Sequence, residues 1–159
     1  MTIRILCIGK LKERFYADAV SEFVKRLSRY ASVEIVELAD ERAPEQLSAA
    51  QREQVKDAEG KRMLARVSEG DFLVALDQRG AELSSEQLSV HMQSWMSAGK
   101  SRIAFAIGGS LGHSEAVFAQ ADFRLSFGKP TFSHQIFRIM LLEQIYRAFK
   151  IMNGEPYHK

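Results

Sequence analysis

Five short apolar runs, separated by stretches of helical periodicity, lay out the architecture of the chain. Residues 2–8 are apolar and rich in β-branched side chains and stop at Gly9, the pattern of a strand. Phe15, Ala19, Phe23, Leu27 and Tyr30 then recur at close to helical spacing and predict a helix over 13–30. Residues 33–38 alternate apolar and acidic side chains, as a half-buried strand does, and 39–44 read as a polar loop. Residues 45–67 are charged and helix-forming with an interruption at Gly60, the better patterned half being 58–67. A third strand is expected over 71–76, ended by the turn Asp77-Gln78-Arg79-Gly80.

Ser84 followed by Gln87 has the spacing of a capping box and opens a helix to about Ser97, which Gly99 ends. Residues 102–107 are apolar almost throughout, the mark of a strand covered on both faces in a parallel sheet. A short helix over 113–121, a fifth strand over 123–127 and a final helix with Ser133 as its N-cap complete the pattern. Five alternations without a repeat or linker predict a single α/β domain, 1–159, with a mainly parallel sheet and helices on both faces. Ligands of such sheets gather beyond the carboxyl ends of the strands, so the loops after Leu76, Ile107 and Phe127 are the candidate walls of a site.

The final helix is unusual. At 100° per residue Phe137, Ile139, Leu141, Leu142, Ile145, Tyr146 and Phe149 cover one broad face. Glu143, Arg147 and Lys150 mark the other, yet Ile136, Met140 and Ile151 lie among them. A helix apolar nearly all round is covered on both sides. In a chain this small the second cover is expected from a second copy, as a two-fold dimer, the alternative being a central helix in a monomer. Arg138 falls in the middle of the broad apolar face, where its guanidinium must meet an acid, a carbonyl or a ligand anion.

Composition narrows the function classes. A hydrophobic share of 46% and a charged share of 26% are ordinary for a soluble globular domain. No apolar run approaches the roughly 18 residues that span a bilayer, and the first residues pattern as a strand and not as a signal peptide, so the cytoplasm is expected. The lone Cys7 excludes a disulfide framework and a cysteine metal cluster. A net charge of +2 is too mild to argue for nucleic acid by itself, and the groups Lys10, Lys12, Arg14 and Lys25, Arg26, Arg29 read as solvated helix faces.

Familiar motifs mostly fail. Gly99-Lys100-Ser101 resembles the end of a P-loop, but Ser94 stands where the first glycine belongs, and the segment precedes a strand. The single Gly9 after the first strand gives no dinucleotide fingerprint. Gly108-x-Ser110-x-Gly112 satisfies the bare nucleophile-elbow pattern, with His134 and His158 downstream, but its acid would have to be Asp122, Glu143 or Glu155. The other reading is that these glycines admit a ligand close to the backbone. Walls without a cationic or metal-binding cluster suit a nucleoside that carries no phosphate. The tail Tyr157-His158-Lys159 is either frayed or an RNA contact.

Together, Leu76-Asp77, Ile107-Gly108-Gly109-Ser110-Leu111-Gly112, Leu125-Ser126 and Thr131-Phe132-Ser133-His134-Gln135 form a recognisable set with Glu143-Gln144-Ile145-Tyr146-Arg147 and Glu155-Pro156-Tyr157-His158-Lys159. The set resembles the ribosomal RNA large subunit methyltransferase H family of the SPOUT methyltransferases, over the whole chain and most specifically from Ile107 onward. The resemblance implies methyl transfer from S-adenosylmethionine to N3 of a pseudouridine in large-subunit ribosomal RNA, a homodimer, and a carboxyl-terminal trefoil knot around the cofactor. Nothing in periodicity or spacing indicates the knot.

By match to the family, cofactor contacts fall on Leu76, Gly108, Phe127, Gly128, Lys129, Pro130, Thr131 and Phe132, and no metal is implied. Gly128-Lys129-Pro130 departs from the Ser-Lys-Met of many relatives, which reshapes the edge of the loop without removing its backbone groups. Arg138, Tyr157 and His158 are expected to hold the target base, with the tail reaching the partner's site. His134, His158 or a water would take the imide proton, and Arg138 would stabilise the anion. The mild net charge favours an assembled ribosome over naked RNA as substrate. The competing readings are a serine hydrolase using Ser110 and a non-catalytic ribosome-binding factor.

Overall fold

Successive residues of the central strands face opposite layers, and this alternation sorts the core into two. In a computed structural model, which describes residues 1–157, the strands are β1 (Thr2–Ile8), β2 (Ser32–Leu38), β3 (Phe72–Glu82), β4 (Arg102–Ile107) and β5 (Phe123–Ser126). They form one parallel sheet in the order β2-β1-β4-β3-β5. Ile3, Ile5 and Cys7 of β1, Val74 and Leu76 of β3, and Ile103, Phe105 and Ile107 of β4 point into one layer. Leu6, Ile8, Leu73, Ala75, Ala104 and Ala106 point into the other. Burial on both faces explains why β1 and β4 read as continuous apolar runs.

The first layer is closed by α1 (Arg14–Leu27), α3 (Ser85–Ser97) and α5 (His134–Met152), the second by α2 (Ala49–Leu64) and α4 (Glu115–Gln120). Leu141, Leu142, Ile145, Ala148 and Phe149 of α5 are buried in the first layer. Each of these side chains larger than alanine contributes about 1.5–3 kcal/mol by leaving water. The signals at Ser84 and Ser133 hold as expected, and a further capping box at Ser48 starts α2 at Ala49 instead of 45. Ser48 with Gln51 and Ser84 with Gln87 form capping boxes, and Ser133 Oγ accepts from the Ile136 amide at 3.3 Å. Helix α5 ends in a Schellman motif: Gly154, at φ +63°, lets the Glu155 amide reach the Lys150 carbonyl at 2.9 Å and its own amide reach Ile151 at 3.0 Å.

Two expectations need correction. Gly60 does not interrupt α2. It lets α2 pack closely on the start of α4, because a Cβ there would lie 2.3 Å from Ser114 Oγ and 3.2 Å from Val117 Cγ2. Nor does β3 end at Leu76: both Leu76 and Ala81 pair with Leu125, so Asp77 to Gly80 leave the sheet as a bulge and the strand resumes at Ala81. The bulge closes through Gly80, whose missing Cβ would stand 2.7 Å from the backbone of Arg124. Helix boundaries otherwise move inward, α1 starting at Arg14 and α4 at Glu115.

Candidate active site at the carboxyl edge of the sheet

The carboxyl ends of β3, β4 and β5 open into a cavity of about 390 Å³. Leu76 just before the β3 bulge, Ile107 at the end of β4 and Leu125 near the end of β5 line it together with the glycine turn 108–112 and the segment 127–132. Of the expected cofactor contacts, Leu76, Gly108, Phe127, Gly128, Pro130, Thr131 and Phe132 border this space. Lys129 stands outside it, exposed, with its carbonyl accepting from Gln78 Nε2 at 3.1 Å.

Both loops are held by their own polar groups. In the first, the Gly112 amide donates to the Gly109 carbonyl at 3.0 Å, and Gly112 has φ +83°. His113 follows directly, 6% exposed, with its Nε2–H donating to the Ala106 carbonyl at 3.1 Å. Burial pushes its pKa down, so the ring is neutral. In the second, buried Ser126 Oγ accepts from the Gly128 amide at 3.0 Å and donates to the Gln78 carbonyl at 3.2 Å. Gln78 Nε2 also reaches Thr131 Oγ1 at 2.9 Å, which ties the β3 bulge to the loop after β5.

Asp77 pairs with Arg124, whose guanidinium lies over the Phe118 ring at 4.2 Å. Sequence reasoning took Gln78 only as a turn residue and Ser126 only as part of the family resemblance, and gave neither a role in the site. The available signal was their position beside the three strand ends already singled out.

Arg138 and His134 form a separate cluster at the ends of β1 and β2. Arg138 is 0% exposed. Its Nη1 meets Glu37 Oε1 at 2.6 Å, and its Nη2 donates to the Gly9 carbonyl at 2.6 Å and to His134 Nδ1 at 3.1 Å. Arginine has no acceptor, so His134 Nδ1 is unprotonated and its Nε2 carries the hydrogen. Burial first, then the Arg138 charge, pushes the His134 pKa down. The same pocket of charge surrounds Cys7, whose thiol burial pushes up to about 12. Neither Arg138 nor His134 lines the cavity, although Phe137 between them does.

The described part of the tail, to Tyr157, packs against the rest of the chain. Glu155 accepts from Tyr30 Oη at 2.9 Å and from Lys150 Nζ at 2.6 Å. Tyr157 Oη donates to Glu143 Oε1 at 3.1 Å, while its ring meets Tyr146 edge-on at 5.0 Å and lies under Arg147 at 4.7 Å. Within one chain Tyr157 therefore lies against α5, away from the cavity. His158 and Lys159 lie outside the described residues. Glu143 also borders a second space of about 710 Å³ on the outer side of α5, between Phe23 of α1 and Leu83 and Leu88 at the start of α3.

The hydrolase reading finds no support in this arrangement. Ser110 is exposed, and among the described residues no histidine hydrogen-bonds it. His113 is spent on Ala106, and the Nδ1 of His134 on Arg138.

Comparison with known proteins places the chain and its fold in one class. The family model described as "Predicted SPOUT methyltransferase" matches residues 1–158. Solved structures agree on the fold: a probable methylase family protein from Haemophilus influenzae Rd KW20 aligns with a TM-score of 0.52 and 13% identity, covering 96% of this chain and 66% of that one. A tRNA (m1G37) methyltransferase from Aquifex aeolicus also aligns at 0.52, with 16% identity, covering 92% of this chain and 70% of that one. At full length on both sides, proteins named Ribosomal RNA large subunit methyltransferase H are 50% identical in Carboxydothermus hydrogenoformans and Lysinibacillus sphaericus and 48% identical in Acetivibrio thermocellus. The chain belongs to the ribosomal RNA large subunit methyltransferase H family of the SPOUT methyltransferases.

Proposed function

We propose that this protein transfers a methyl group from S-adenosylmethionine to N3 of a pseudouridine in large-subunit ribosomal RNA, as a cytoplasmic homodimer acting on the assembled ribosome. The observation that carries the reading is the cavity at the carboxyl ends of β3, β4 and β5, walled by two glycine-containing loops. Its makeup fits the donor. Leu76, Ile107, Leu125, Phe127 and Phe132 supply apolar surface for an adenine ring, and the turns bring backbone groups to the cavity wall. Among the described residues no cluster could hold a metal ion, and none is invoked.

When bound, the donor supplies an electrophilic sulfonium methyl, which leaves alignment as the main task of the protein. The segment 127–132 and Gly108 are read as the cofactor cradle, which in this reading is the knotted part of the chain. Of the candidate bases, His134 holds its free lone pair against Arg138, so it is read as an orienting group. The imide proton then falls to His158 or to a water. Arg138 is read as the residue that fixes His134 and the end of β1 beneath the acceptor.

Dimerisation is supported by the outer side of α5, where Ile136 is 42% exposed and Ile139 and Met140 are half-buried beside the second space. Tyr157 runs along that side, which supports a tail that completes the partner's site.

The deciding experiment is transfer of labelled methyl groups to ribosomes from cells lacking the modification, with naked ribosomal RNA alongside. Transfer to one pseudouridine in the ribosome, and far less to naked RNA, is expected. Binding of S-adenosylmethionine without transfer to either substrate overturns the reading.

A further inference from the structure

Two consecutive residues of α2 press on the glycine turn from behind. Gly60 brings α2 against Ser114, at the far end of the turn. Glu59, 5% exposed, is directed at its near end. Glu59 Oε1 accepts from the Glu41 amide at 3.0 Å, whereas Oε2 is buried with no hydrogen-bond partner among the described residues. A Cβ on Gly109 would lie 2.5 Å from that oxygen, and its three nearest atoms would all belong to the Glu59 carboxyl. Gly109 is not in the left-handed region. Its backbone would therefore accept alanine, and the nearest obstacle to the new methyl is the Glu59 carboxyl.

A buried carboxyl oxygen left unpaired is costly, so its persistence at this contact calls for a use. We infer that Glu59 is the positioning residue of the methyl-donor pocket, a stop on which Gly109 rests and which fixes the height of the 108–112 turn and thereby cofactor affinity. The inference rests on the reading of the cavity as a donor site and adds to it a residue outside the lining. Lys56, one turn earlier on α2, lines the cavity itself, so the same helix both borders the pocket and props its turn.

The test is a pair of substitutions that should cancel. Gly109→Ala forces the turn off the carboxyl and Glu59→Ala removes the stop. Each is expected to weaken S-adenosylmethionine binding, by calorimetry, about tenfold. In the double variant the new methyl occupies the vacated space, and affinity returns to within about threefold of wild type. Glu59→Gln keeps the shape and should bind within about twofold. Hydrogen exchange at the Gly112 amide, bonded to the Gly109 carbonyl, should follow the same order without any ligand.

Additive losses in the double variant, wild-type affinity in either single alanine variant, or a loss in Glu59→Gln equal to that in Glu59→Ala would each overturn the inference. If Gly109→Ala does not fold, Gly109→Ala with Glu59→Asp replaces it, compared with Glu59→Asp alone. If the wild-type protein fails to bind S-adenosylmethionine, the functional reading fails, while exchange at Gly112 still reports on the stop.

Discussion

Removing Glu37 strands a wholly buried charge. Arg138 is wholly shielded from solvent, and among the described residues its only carboxylate partner is Glu37 at 2.6 Å, a side chain 32% exposed. Breaking a buried pair by deleting one partner costs about 3–5 kcal/mol, because the other charge stays buried without compensation. The gap left by Glu37 admits water from its exposed side, which places Glu37→Ala at the lower end, about 3 kcal/mol. In a chain of 159 residues that corresponds to a Tm lower by about 6–12 °C.

Arg138→Met takes away the charge instead of stranding it. Glu37 keeps the Leu11 amide at 3.0 Å and its exposed edge, so the loss should be about 1 kcal/mol. The double variant should then be more stable than Glu37→Ala alone. Urea unfolding at one fixed protein concentration measures all three, since self-association would otherwise couple to the midpoint. A loss below about 1 kcal/mol in Glu37→Ala, or a double variant destabilised by the sum of the singles, would refute the reasoning. A folded but inactive Arg138→Met would at the same time separate a functional role from a structural one.

Gly60→Ala should destabilise by about 1–3 kcal/mol through overpacking against Ser114, although alanine gains about 1 kcal/mol in helix propensity. Urea midpoints should show Ser114→Ala recovering part of the loss. Burial first, then the Asp40 and Glu41 charges, raises the Glu59 carboxyl above its ordinary value, against the Glu41 amide and Arg62, which lower it. With a raised folded pKa, stability is full below the ordinary glutamate value and is lost as pH rises through the raised one. Unfolding midpoints of wild type should therefore fall relative to Glu59→Gln across that window, and parallel profiles would contradict the assignment. Cys7, held protonated up to about 12 in the fold, should react with a thiol reagent at pH 8 only as fast as the chain opens. Met140→Glu on the outer side of α5 should yield monomers by light scattering, with donor binding and ribosome methylation reduced together.

Much of this protein follows from sequence alone, because its signals are local or periodic. The continuous apolar runs of β1 and β4, the alternation in β2, the Ser84 and Ser133 caps and the five strand–helix alternations depend on neighbours a few positions apart, so they fix a parallel α/β sheet and point to its carboxyl edge. The same logic placed Leu76, Gly108 and Phe127 near one another, since they end or follow strands of one sheet. What escaped depends on contacts across the fold. Gly60 looks like a helix breaker until α4 packs on it, and Asp77 to Gly80 look like a terminal turn until β5 pairs with β3 on both sides of the bulge. Glu59 is one more charged residue in a charged helix until its carboxyl meets Gly109. Arg138 shows the division most plainly. Periodicity puts it in the apolar face of α5 and physical chemistry demands a partner, but only the tertiary structure could name Glu37, 101 positions away. Burial creates the demand locally, whereas the partner is set by which strand ends the sheet order brings together.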